Sequence, residues 1–95
     1  MHVIVSDEAL EDLSEIWNFV AKSSPASADR LLAALVRRCY TLADNPFRFS
    51  VVPSMERDQV RRCNLRTWAI FFVSSDTHVD VLHIVHGGRD TNDLF

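Results

Sequence analysis

The sequence predicts an α+β fold in which a helical hairpin packs on a mostly antiparallel four-stranded sheet, in the order β-α-α-β-β-β. Three observations carry this. Apolar residues recur at three- and four-residue spacing through residues 7 to 42, after a short β-branched start. Ser23-Ser24-Pro25 splits that stretch into two helices, and the second half closes with two apolar, β-rich runs joined by polar residues. A chain of 95 residues has room for one domain, 1–95, with one modest core.

Val3, Ile4 and Val5 are β-branched and precede Ser6-Asp7, where the Ser6 hydroxyl can accept a bond from an orphan backbone N–H at a helix start. From Asp7 to about Lys22, Leu10, Leu13, Ile16, Trp17 and Val20 make an apolar stripe. Glu8, Glu11, Asp12 and Glu15 fall on the remaining faces, which read as solvated, near the end that favours negative charge. Ser24 then caps a second helix with Pro25 in its first position. Ala28, Leu31, Leu32, Leu35, Val36, Cys39 and Leu42 form its stripe, and Asp44-Asn45-Pro46 ends it. So short a connection makes the helices an antiparallel pair.

"PFRFSVVPSMERD" (46–58) has two prolines and no period, so it reads as a loop, with Phe47, Phe49, Val51 and Val52 available to staple it down. Strands are expected over Gln59 to Leu65, over "TWAIFFV" (67–73) and over "VDVLHIVHG" (79–87), with Ser74 to His78 as the last turn. Both alternating sets of "TWAIFFV" are apolar, which places it inside the sheet. Asp90 can cap a short C-terminal helix over Thr91 to Phe95.

Composition narrows the function. Apolar runs such as Ala69 to Val73 are too short to span a bilayer, and the N-terminus lacks a signal-peptide pattern, so a cytoplasmic protein without a membrane partner is expected. Cys39 and Cys63 lack a CxxC or Cys/His ligand spacing; free thiols, no metal and no cofactor are expected. The net charge of −3 hides an asymmetry: residues 1–29 balance at −5, residues 30–66 at +5 and residues 67–95 at −3. All eight cations of the middle segment are arginines, suited to bidentate contact with carboxylate or phosphate. Either they face an acidic partner or they pair internally with the acidic first helix. Walker, dinucleotide, nucleophile-elbow and HExxH patterns are absent.

Four histidines raise the question of a nuclease or metal site. His83 and His86 are three apart, so on a regular strand they point to opposite faces and cannot form one metal pair. His86 precedes Gly87-Gly88, where backbone angles closed to other residues are available, and then Arg89-Asp90. On a structural reading, Asp90 caps, His86 bonds backbone and Arg89 pairs with an acid. On a catalytic reading, His83 or His86 supplies acid or base for RNA cleavage, with Arg62, Arg66 or Arg89 as cations on the phosphorane.

The helix texts "ALEDLSEIWNFVA" and "SADRLLAAL…LADNP", the strand "VRRCNLRTWAIFFV" and the closing "VDVLHIVHGGRD", in this order, resemble the ParE branch of the RelE/ParE toxin superfamily over nearly the whole chain. The resemblance implies the toxin of a bacterial type II toxin-antitoxin system, neutralised by a cognate antitoxin and directed at DNA gyrase, with no catalytic site of its own. It implies no direct sequence-specific nucleic-acid binding. Arg61, Arg62, Arg66, Trp68 and Arg89 are the expected partner contacts, against a solvated strand edge for Arg61 and Arg62 and a core position for Trp68. The alternative within the superfamily is a ribosome-dependent mRNA endoribonuclease of the RelE type, with His83, His86 and Arg89 in catalytic roles, or a degenerate relative without toxicity. A net charge of −3 favours the gyrase-directed branch, because binding to ribosomal RNA draws on phosphate neutralisation. Family members usually carry a glycine-arginine loop after the second helix and a glycine before the aromatic strand. Here these places read "NPFRFSVVPS" and "LRTW", and the usual aromatic-arginine continuation of the strand reads "FFVSS".

Overall fold

Strand β1 (His2–Val5) leads into helix α1 (Asp7–Ala21), helix α2 (Pro25–Thr41) and then strands β2 (Arg61–Leu65), β3 (Trp68–Ser74) and β4 (His78–His86). The structure is a computed structural model and describes residues 1–91 and 94–95. The sheet order is β1-β4-β3-β2. Strands β2, β3 and β4 are consecutive antiparallel neighbours, whereas β1 lies parallel to β4, His2 beside His78 through Val5 beside Val81. A parallel neighbour requires a crossover, which begins with the two helices.

Both helix starts form as their sequence predicts. The Ser6 hydroxyl accepts from the Ala9 N–H (3.1 Å) and Ser24 from the Ser27 N–H (3.1 Å), with Pro25 in the first turn. Leu13, Ile16, Leu31, Leu35, Cys39 and Leu42 bury against Ile70, Phe72, Val79 and Val81 on one face of the sheet. Each large apolar side chain buried there contributes roughly 1.5–3 kcal/mol. The opposite face is covered by Met55, Val60 and Val52, which pack with Ala69, Phe71 and Val85. "TWAIFFV" is thus sandwiched, as its two apolar sets require.

Several expectations need correction. Leu10, assigned to the buried stripe, is 52% exposed, and Ala9 takes the buried place beside Leu13 and Ile16. Trp17 is half-buried, its indole N–H donating to the Asp29 carboxylate at 2.9 Å and so tying α1 to α2. The segment read as a structureless loop contains short 3₁₀ turns at Pro46–Arg48 and Pro53–Asp58, because Met55 must reach the uncovered sheet face. The helix expected over Thr91 to Phe95 includes residues 92 and 93, which lie outside the described residues; Thr91, Leu94 and Phe95 are not helical. Cys39 and Cys63 are free and buried, and burial, with Cys63 close by, pushes the Cys39 thiol up to about 12.

Two irregularities place the functional residues. Phe71 sits opposite His83 but Phe72 opposite Val81, so Leu82 is an extra residue in β4, a β-bulge. Before it, Val79 and Val81 face the helices; after it, Ile84 does, and Leu82 and Val85 face away. Arg66, at the tip of the β2–β3 hairpin, has φ of 54°, the left-handed region that favours glycine.

Candidate functional site

Helix α1 packs along β4, and its contact with the sheet has a closed end and an open end. At the closed end β1 stops pairing after Val5 beside Val81, leaving the next outward groups of β4 without a strand neighbour. Side chains of α1 and its cap take over. The Ser6 hydroxyl donates to the Leu82 carbonyl (3.0 Å), and the Asp12 carboxylate accepts from the Ile84 N–H (2.9 Å). The same carboxylate oxygen meets His83 Nδ1 at 2.9 Å, with only 16% and 14% of the two side chains exposed. Phe95 lies edge-on to His83, ring centroids 5.6 Å apart, and also edge-on to Phe71 at 5.8 Å. His83 is therefore held in the fold by a helix carboxylate and an aromatic lid.

The sequence reading missed Asp12, which it placed on a solvated face. The signal was its position: three residues after the buried Ala9 and four before the buried Ile16, it lies on the inward side of α1. An acid at such a place needs partners, and these come from β4.

At the open end, Trp68 is the first residue of β3 and pairs in register with His86, the last of β4. Their rings meet edge-to-face at 5.7 Å. Together with Glu15, Ile16, Phe19 and Arg89 they line a groove of about 190 Å³ along α1. Phe19 is 70% exposed at its rim. Successive turns of α1 supply Asp12, Glu15, Ile16 and Phe19, so one helix reaches both ends of the contact. Trp68 is half-buried and packs on the core while still lining the groove.

The turn "HGGRD" is held by backbone and imidazole. The Gly87 N–H donates to the Thr67 carbonyl (2.6 Å), the Arg89 N–H to the His86 carbonyl (3.0 Å), and the Gly88 N–H to His86 Nδ1 (3.3 Å). A ring nitrogen that accepts carries no proton, which in the neutral imidazole leaves the N–H on Nε2. The expected use of unusual backbone angles at Gly87-Gly88 is not found, since neither has positive φ. What Gly87 provides is space: a Cβ there would stand 3.0 Å from both the Thr67 carbonyl oxygen and Arg62 Nη2.

The arginines divide by what they bind. Arg61 donates to the Phe49 carbonyl and lies over the Phe47 ring at 5.1 Å. Arg62 donates to Asn64 Oδ1 (2.8 Å) and to the Gly87 carbonyl (3.2 Å), with its guanidinium 5.5 Å above Phe71. Arg38 donates to the Asn64 carbonyl at 3.0 Å. Among the described residues, no arginine of the middle segment pairs with a carboxylate of α1, contrary to the internal-pairing alternative. Arg66 and Arg89 are exposed at the two turns that flank Trp68 and His86. The structure thus brings Trp68, His86 and Arg89 together, sets His83 on the other face of the strand, and ties Arg61 and Arg62 to the chain's own loop and turn. No group of three metal-ligating side chains occurs among the described residues, and none of the helices there is long and apolar enough to cross a membrane.

Residues 3–91 match the family described as the ParE toxin of type II toxin-antitoxin system, parDE. A solved structure of a chromosomal ParDE toxin-antitoxin system from P. aeruginosa superposes with a TM-score of 0.76 at 20% identity, covering 90% of this chain and 95% of that one. Among curated protein sequences, no match is found.

Proposed function

The chain belongs to the ParE toxin family of type II toxin-antitoxin systems, and from that premise we propose that it is a cytoplasmic, single-domain toxin held by a cognate antitoxin and directed at DNA gyrase without catalysing a reaction itself. One observation carries the non-enzymatic part. Cleavage through a 2′-hydroxyl needs acid, base and cation around one phosphate. Here His83 is bound to Asp12 beneath Phe95, while His86 stands on the opposite face against Trp68. Arg61 and Arg62 are engaged elsewhere. The net charge of −3 supports the same reading, since a ribosomal RNA target rewards a basic surface.

On this reading Arg66, Trp68 and Arg89 make the principal partner contacts, on a surface that combines an aromatic anchor with cations at its rim. Arg61 and Arg62 contribute by holding the loop and the Gly87 turn that shape this surface. The test pairs a gyrase supercoiling and cleavage-complex assay with a translation-coupled mRNA cleavage assay. Inhibited supercoiling with intact mRNA is expected; mRNA cutting that disappears in His86→Ala overturns the proposal. For the antitoxin, co-expression with the adjacent reading frame is expected to yield a stable complex and to restore growth.

A further inference from the structure

The two edges of the sheet are finished differently. Along β2, Val51 forms a bridge to Arg61, the Arg62 N–H donates to the Ser50 carbonyl (3.3 Å) and the Val52 N–H to the Val60 carbonyl (2.8 Å). Arg38 takes the Asn64 carbonyl further along. That edge is covered. Along β1, His2 and Ser6 turn their N–H groups inward to the Thr77 and Val81 carbonyls (3.2 and 3.0 Å). The alternation of a strand therefore points the N–H and C=O of Val3 and Val5 outward, where the described residues offer no strand neighbour. The edge triplet Val3-Ile4-Val5 is entirely β-branched. It carries none of the lysine, proline or bulge that proteins use to protect exposed edges, and Ile4 is 50% exposed.

We infer that β1 is a self-pairing edge whose partner is the β1 strand of a second copy of this chain, joined antiparallel about a two-fold axis at Ile4. The register follows from the outward groups. Val3 and Val5 of one copy face Val5 and Val3 of the other and exchange both hydrogen bonds at each pair. Ile4 meets the partner's Ile4 at the non-hydrogen-bonded position, where side chains approach closest. His2 falls opposite Ser6, so no carboxylate faces a carboxylate. The interface is isologous and closes at two copies, turning two four-stranded sheets into one continuous sheet. A strand of another protein could use the same outward groups. Self-pairing is favoured because the triplet is symmetric in shape and chemistry about Ile4, its centre.

Size-exclusion chromatography with light scattering on the full chain tests this, over concentrations from about 1 μM to about 1 mM. The mass is expected to rise from 10.8 kDa toward twice that value. Ile4→Lys and Ile4→Glu, each checked for unchanged far-UV circular dichroism and Tm, are expected to stay monomeric, because each sets like charges opposite one another. Their equal mixture is expected to regain the dimer as opposite charges meet across the axis. A wild-type chain that remains monomeric throughout overturns the inference, as does a dimer indifferent to Ile4→Lys. A mixture that stays monomeric overturns the Ile4-centred register. Hydrogen-exchange protection of Val3 and Val5 that arises only on adding the antitoxin also overturns self-pairing and assigns the edge to a strand of that partner.

Discussion

His83 and His86 are three residues apart on β4, yet one is held by the fold and the other offered by it. His83 shares the Asp12 carboxylate with the Ile84 N–H and is lidded by Phe95. The His86 ring accepts a single N–H from its own turn and stands exposed beside Trp68. Residue type does not explain the difference. At the first position the sheet has lost its outer strand, so a helix side chain must satisfy the exposed ladder; at the second the ladder has ended and the side chain is released to solvent.

Substitutions should follow that division, most strongly at the closed end. Asp12→Ala leaves the Ile84 N–H and the His83 ring without their acceptor, and about 3 kcal/mol of stability should be lost in urea unfolding. Asp12→Asn keeps an acceptor and should recover much of it. An Asp12→Ala protein as stable as wild type would remove the basis for calling this end closed. At the turn between the ends, Gly87→Ala forces a methyl toward the Thr67 carbonyl and Arg62, at a cost of about 1–2 kcal/mol by the same measurement. Arg66→Gly relieves a left-handed residue at an exposed tip and should raise stability by about 0.5 kcal/mol, read as a small increase in Tm. His86→Ala should change stability by less than about 0.5 kcal/mol, because its ring is exposed. If calorimetry gave His86→Ala a loss comparable to that of Asp12→Ala, the contrast between the two histidines would fail.

The features that could be read from the amino-acid order are those set by neighbours in the chain. Ser6 and Ser24 announce helix starts because a hydroxyl three residues before an orphan N–H caps it in any context. "TWAIFFV" declares itself a strand covered on both faces because both of its alternating sets are apolar. Asp12 is illegible for the opposite reason: its partner His83 is 71 residues away. The exposure of Leu10 is illegible because period alone does not say how wide a stripe the sheet will cover. Gly87 suggests backbone freedom in the sequence, but its requirement comes from the Thr67 carbonyl and the Arg62 guanidinium across the hairpin. Of the residues that line the groove, the family resemblance points to Trp68 and Arg89 and the Gly87-Gly88 turn to His86, while nothing in the sequence points to Glu15 and Phe19. Only the packing of α1 along β4 shows that these helix residues share a groove with the end of the last strand.

The extra residue Leu82 acts on β4 as a phase shift. Upstream of it, odd-numbered side chains point at the helices; downstream, even-numbered ones do. Every residue from His83 onward therefore keeps its face because the ladder absorbs Leu82 as a bulge instead of carrying it as a regular strand position. Deleting Leu82 would restore unbroken alternation, with Val81 and Ile84 still toward the helices and His86 still beside Trp68, whereas drawing Leu82 into a regular ladder without the bulge would turn His86 to the other face. Which face His86 presents beside Trp68 thus depends on how the ladder accommodates a residue four positions upstream.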